Sequence, residues 1–284
     1  TIAVLNVIGV VMVLSASSIL SLTTHGSAWY FFERQLVWTV IGIIGFTVVL
    51  RIDYRRWRDG VRPMLFLTAT LLVMVLVPHV GIYVSGSRRW LGIGAWRFQP
   101  TELAKFTLVL FAADLLTRRE HELFDWRRSI RPLVVVVAGL GGLVFLEPDL
   151  DSTILLGVIA VAILVAAGVR LRHLATIGLG GMSIATILAL SAPYRRARLL
   201  TFLHPTADAG NGGYQIVQSL IALGSGGVGG VGLGAGRSKW LFLPNAHTDF
   251  IFAVIGEELG LVGTLTVLAL FGAFAVLGIR TALR

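Results

Sequence analysis

A polytopic bundle of transmembrane helices, all-α, is the fold class this sequence predicts, and three observations predict it. Apolar residues fill 56% of the 284 positions and charged residues only 14%, for a mean hydropathy of +0.84. Uncharged runs recur at 1–22, 35–50, 63–84, 132–146, 152–169 and 174–194; several reach the roughly 17–25 residues that cross about 30 Å of hydrocarbon. Arginine, finally, gathers in the short connections between those runs. In lipid every backbone polar group must be paired within its own segment, which favours helices. A β-barrel needs alternating strands, and runs such as Val134–Val137 do not alternate.

The elements follow in order. Spans are expected near 1–22, 31–50, 63–83, 101–117, 132–147, 152–169, 174–192 and 249–279. The first run lacks the basic n-region and small-residue cleavage site of a signal peptide, so it reads as a first helix clipped at its front. The connections Arg51–Arg62 and Arg118–Arg131 carry five arginines each, whereas 23–33 and 148–152 carry no Lys or Arg. By the positive-inside rule the dense connections are cytoplasmic, which gives eight spans with both ends inside. Residues 85–100 and about 193–248 then form large outer loops. No repeat or linker divides the chain, so 1–284 reads as a single integral-membrane domain.

The chain has no cysteine, so disulfides and thiolate-bound metals are excluded. Its formal charge of +9 sits between apolar runs, where membrane topology and anionic headgroups account for it better than nucleic acid.

Ionisable groups are costly at a membrane boundary and need a reason. Pro100 and Thr101 open a helix on which Glu102 and Lys105 share one face; alone they read as a local ion pair. Arg88, Arg89 and Arg97 precede them as headgroup anchors. Glu147-Pro-Asp-Leu-Asp151 sets three carboxylates in one outer turn, read as a turn capped by Asp151 or Ser152 rather than as a cation site. Arg195, Arg196 and Arg198 are a candidate anion clamp. Residues 212–223 read as a short amphipathic helix with Gln215, Gln218 and Ser219 on its polar side. The glycine-rich stretch 224–236 spells Gly-x-Gly-x-x-Gly but follows no strand, so a nucleotide fold is rejected and a flexible or re-entrant loop remains. Asp249, two residues after His247, stands where that loop meets the last helix; a partly desolvated carboxylate there gains basicity. Glu257 and Glu258 lie two turns deeper, and at least one must face the protein interior.

Arg89-Trp90, Gln99-Pro-Thr-Glu-Leu-Ala-Lys105, Glu147-Pro-Asp-Leu150, Gly213-Tyr-Gln-Ile-Val-Gln-Ser219 and His247-Thr-Asp-Phe-Ile-Phe-Ala253 with Glu257-Glu-Leu-Gly260 together resemble the SEDS family (shape, elongation, division and sporulation). The resemblance spans nearly the whole chain. Leu243-Pro-Asn-Ala-His-Thr-Asp249 is more similar to the division branch (FtsW-like) than to the elongation branch (RodA-like). It implies a glycosyltransferase of the bacterial cytoplasmic membrane, with its active site on the outer face. Such an enzyme polymerises lipid II, an undecaprenyl-pyrophosphate-linked disaccharide pentapeptide, into β-1,4 glycan strands for cell division and cell-wall synthesis. Asp249 is implied as the essential acid, acting as base or through a divalent cation (Mg²⁺ or Mn²⁺), with Glu102 and Lys105 lining its cavity. Arg89, Arg195, Arg196 or Arg198 would meet the pyrophosphate, with Gln215, Gln218, Ser219 and His247 in the substrate-binding set. The implied partner is a class B penicillin-binding protein, within the division or elongation machinery. The chain departs from the pattern at Asp151, where Gly is usual, and at Asn245, where Glu is frequent. Members have ten spans, so a fragment lacking the last two helices is expected. A lipid-linked precursor flippase, for which Asp114 is the best residue, and a non-catalytic scaffold that recruits the transpeptidase are the alternatives.

Overall fold

Helix follows the apolar runs almost span for span in the computed structural model, which describes residues 1–84, 87–93, 96–123, 125–191, 193–208, 210 and 212–282. The chain divides into two compact units, Thr1–Arg51 with Tyr194–Arg284 and Ile52–Pro193.

The first unit holds α1 (Ile2–His25), α2 (Tyr30–Arg51), α8 (Pro193–Leu203), α9 (Tyr214–Ser225) and α10 (Ile251–Ala282). Gly26, left-handed at φ 72, caps α1 and turns the chain into α2. Its core gathers Met12 and Ala16 of α1 with Ala222, Leu243, Ala246, Val254 and Val267. The second unit holds α3 (Trp57–Leu76), α4 (Pro100–Arg118), α5 (Arg131–Leu146), α6 (Leu150–Ala166) and α7 (Leu171–Leu190). Leu72, Leu108, Leu133, Leu156 and Leu164 are fully buried at its centre. Among the described residues six helices are long and apolar enough to cross a membrane. The other two expected spans are α4, which carries Glu102, Lys105 and Asp114, and α6, which is shorter at 17 residues.

Three sequence expectations are corrected. The third span starts and ends earlier than 63–83, because the arginine-rich approach already coils and Pro63 is carried inside the helix. The outer segment 85–100 is not a loop: β1 (Ile82–Val84), β2 (Ser87–Ile93) and β3 (Trp96–Phe98) form an antiparallel ribbon in the order β1-β2-β3. And α10 begins at Ile251 rather than 249 and breaks at Gly260 (φ 66, ψ −161).

That break is filled by the glycine-rich stretch, which is built into the fold. Val231 and Gly232 N–H groups donate to the carbonyls of Glu257 and Glu258 at 3.0 Å, while Leu261 and Val262 N–H groups donate to the carbonyls of Gly227 and Val228 at 2.9 and 3.2 Å. These four groups are the ones that the helical pairs 257–261 and 258–262 would have used. The approach is too close for side chains. A Cβ on Gly260 would lie 2.3 Å from Gly230 N, and one on Gly230 would lie 2.2 Å from Glu258 O. Gly260→Ala is therefore expected to destabilise the protein by about 2–3 kcal/mol. Gly272→Ala, with open space around it, should be neutral or better. Thermal melting of the two variants in detergent compares them directly.

Candidate functional site

In the first unit, Asp249 lies in a turn immediately before α10. Asn245 adopts the left-handed conformation (φ 56), and its carbonyl accepts from the N–H groups of Thr248 and Phe250 at 3.1 and 3.3 Å. Asn245 thus shapes the approach to α10 through its carbonyl, and Asp249 precedes the helix instead of occupying its first turn. The carboxylate of Asp249 is exposed and makes no hydrogen bond or ion pair with the described residues. His247 is half-buried, its ring 4.8 Å from that of Phe31, in an aromatic group where His25 stacks on Tyr30 at 3.7 Å. Burial holds the His247 imidazole below its ordinary value, and the neighbouring Asp249 charge offsets part of that.

The turn is anchored from below. Glu258, fully buried, accepts from Ser15 Oγ of α1 at 2.7 Å, from Gly234 N at 3.0 Å and from Lys239 Nζ at 3.0 Å. Lys239 Nζ also donates to the Gly234 carbonyl at 2.5 Å. Glu257 accepts from the N–H of Arg237 at 2.7 Å and from the N–H and hydroxyl of Ser238. Both acids bind the segment 234–239 that leads to the Asp249 turn. Sequence reasoning placed one of them inside but missed Lys239, whose signal was a lysine isolated in an apolar chain.

Of the other expected site residues in this unit, Gln215 and Gln218 are half-buried on α9, which occupies the expected place. Ser219 is buried and its hydroxyl donates to Ile216 O at 2.7 Å, within its own helix. Arg196 is exposed on α8, and the side chains of Arg195 and Arg198 lie outside the described residues.

In the second unit, Lys105 Nζ stands 2.7 Å from Glu102 Oε1, one turn into α4. The pair is partly exposed, Glu102 more than Lys105. Arg89 on β2 is engaged with the turn between α5 and α6. It donates to the Glu147 carbonyl at 3.2 Å and to the Pro148 carbonyl, and lies 3.7 Å from Asp149. The expected cap is corrected: Asp149, not Asp151, caps α6, accepting from Ser152 N at 3.1 Å and from Ser152 Oγ at 2.9 Å. Asp114, the residue behind the flippase alternative, is bound by Arg58 at 2.6 Å and Arg118 at 2.8 Å.

Glu147 itself is 1% exposed. Oε2 receives a long bond from Thr101 at 3.4 Å, and Oε1 has no partner. Burial first, and then the neighbouring Asp149 charge, raise its carboxyl to about 8, against the lesser opposing effects of Thr101 and Arg89. A raised carboxyl binds its proton more tightly when folded, so stability is greatest at low pH and falls as pH rises from about 4.5 through about 8. Wild type is expected to lose about 2 kcal/mol or more over that window, and Glu147→Gln to lose that component. Melting temperatures measured across the window check it.

A metal finds no ready-made cage here. Among the described residues no three His, Asp or Glu side chains come together as a coordination shell.

Comparison with known proteins agrees with this architecture. The family model described as cell cycle protein, covering FtsW, RodA and SpoVE, matches residues 1–284. A probable peptidoglycan glycosyltransferase FtsW of Geobacter metallireducens is 38% identical over 279 residues, 98% of this chain and 74% of that protein. Stage V sporulation protein E of Bacillus subtilis is 39% identical, over 97% of this chain and 75% of that protein. Among solved structures, a chain of a peptidoglycan synthase complex that coordinates polymerization and crosslinking superposes with a TM-score of 0.67 at 29% identity, covering 93% of this chain and 73% of that one. Thermus thermophilus RodA gives 0.59 at 25% identity, over 93% of this chain and 70% of that one. With a polytopic helical fold, the quoted motifs in order and a family match from end to end, this chain belongs to the FtsW/RodA/SpoVE cell cycle proteins, the SEDS family.

Proposed function

We propose that this protein is a peptidoglycan glycosyltransferase that polymerises lipid II at the outer face of the bacterial cytoplasmic membrane, with Asp249 as the catalytic acid–base group. One observation carries the assignment of the residue: Asp249 is an exposed carboxylate with no partner among the described residues, on a turn fixed by Asn245 and anchored through two buried acids. Asp149 and Asp114, by contrast, are committed to a cap and to an ion pair.

In the reaction, the 4-hydroxyl of the acceptor sugar attacks the anomeric carbon of the lipid-linked donor. The carbon–oxygen bond to undecaprenyl pyrophosphate breaks as the β-1,4 bond forms. The hydroxyl proton passes to Asp249, and the leaving group departs with the bonding electron pair. Glu102 and Lys105, and among the arginines Arg196 with Arg195 and Arg198, are assigned to substrate. Arg89 acts by holding the Glu147–Asp149 turn. The names of the relatives support the division branch, and the synthase complex, which coordinates polymerization and crosslinking, supports a crosslinking enzyme such as a class B penicillin-binding protein as the proposed partner. The flippase reading is weakened because Asp114 is neutralised by two arginines.

The test is polymerisation of purified lipid II by the protein co-purified with a class B penicillin-binding protein, with products sized on a gel. Wild type should give polymer and a folded, partner-bound Asp249→Asn none. Equal polymer from both would remove Asp249 from the mechanism. No polymer from either, with divalent cation present, would favour transport or scaffolding.

A further inference from the structure

Beside the β1–β2 ribbon an open cleft of about 240 Å³ is lined by Leu76 at the end of α3, by Tyr83, Ser87 and Arg88, and by Leu146, Glu147 and Pro148 at the end of α5. The proposed reaction does not use it. Two of its lining groups are incompletely matched. Arg88 is half-buried and its side chain makes no hydrogen bond or ion pair with the described residues, unlike that of Arg89 beside it, which is committed to the 147–149 turn. Glu147 is 1% exposed and its Oε1 has no partner. A buried polar atom left unpaired costs about 1–3 kcal/mol, so a ligand group that satisfies it is favoured.

The chemistry of that group follows from the donors. The groups facing Glu147 are Thr101 from α4, Arg89 from β2 and Asp149 from its own turn. An ionised Glu147 would stand beside Asp149 and repel an anion. A neutral Glu147 instead offers an O–H donor, and Arg88 offers a guanidinium fork suited to phosphate. Around them Leu76, Leu146 and Pro148 form an apolar wall. The cleft lies where the apolar helices 54–76 and 126–146 both end, the level of lipid headgroups in a membrane. We propose that this cleft binds the phosphate of a lipid headgroup, with Arg88 as the cation and the unpartnered Glu147 Oε1 as its second polar contact. The inference does not rest on the polymerase reading, because lipid binding is measured without turnover.

The test titrates the detergent-solubilised protein with fluorescent phosphatidylglycerol at about pH 6.5 and about pH 9.5, on either side of the Glu147 carboxyl at about 8. Wild type should bind roughly tenfold or more tightly at the lower pH, the worth of one charge-assisted hydrogen bond. Arg88→Ala should lose a similar factor there. Glu147→Gln, a donor at every pH, should bind at both values without the pH dependence. Unchanged affinity in Arg88→Ala, or a pH dependence that survives in Glu147→Gln, would overturn the proposal. Competition identifies the source of the phosphate. Displacement by undecaprenyl pyrophosphate at lower concentration than by phosphatidylglycerol assigns the cleft to the polyprenyl carrier, and the reverse order assigns it to bulk lipid. Inorganic phosphate displacing the probe as well as either lipid would remove the lipid from the inference.

Discussion

Asp249→Asn is expected to lower lipid II polymerisation by about 10²–10⁴-fold, the range of a lost general base, while leaving the melting temperature where it was. The two halves of that expectation have separate origins. The carboxylate is exposed and has no partner among the described residues, so replacing it by an isosteric amide removes no packing and no hydrogen bond. Surface changes of that kind stay within about 0.5 kcal/mol. The backbone that shapes the turn is held by the Asn245 carbonyl, which the substitution does not touch. Polymer yield and thermal melting measured on one preparation, with the partner bound, separate a lost proton acceptor from a lost fold. A fall in both would make Asp249 a structural residue.

Lys239→Met should have the largest effect on stability. Lys239 and Glu258 are 5% and 0% exposed and lie 3.0 Å apart. Removing the ammonium leaves a buried carboxylate with Ser15 and the Gly234 N–H as its remaining partners among the described residues. Breaking a buried pair from one side costs about 3–5 kcal/mol. The double variant Lys239→Met with Glu258→Gln removes the orphaned charge and should recover more than half of the loss, an interaction that a double-mutant cycle reads directly. Additive losses would mean that the two side chains act independently. Because 234–239 leads to the Asp249 turn, Lys239→Met should also lower activity in molecules that remain folded, and the double variant should restore part of it.

The helices were legible because hydrophobic length is a local property. Runs such as 35–50 and 174–194 carry their span in their own composition and appear as α2 and α7. The amphipathic stretch became α9 for the same reason. What escaped the sequence depends on distant partners. The ribbon β1–β3 is too short for alternation to announce it, and its strands exist by pairing with each other. The break at Gly260 looked like one glycine among many, since nothing local says that residues 227–232 lie beside it. At least one of Glu257 and Glu258 was recognisable as an interior acid, yet their partners lie about twenty residues away and, for Ser15, 243 residues away. The cap of α6 was misplaced by two positions because Asp149 and Asp151 offer the same chemistry, and only the turn geometry distinguishes them.

The segment inserted into α10 also constrains how this protein is made. Before the two join, the carbonyls of Glu257 and Glu258 and the N–H groups of Leu261 and Val262 can pair with each other as the helical 257–261 and 258–262 bonds, since hydrocarbon offers no other partner. A chain delivered to the bilayer with α10 ahead of its filler would close those bonds and have to break them to admit the insert. Synthesis from the N-terminus avoids this: residues 226–243, with α1 and its Ser15, leave the ribosome before α10 does. The glycines keep that early segment nearly free of side chains, so that α10 can close around a template already present. Biogenesis, as well as the final state, is thereby written into the order of the chain.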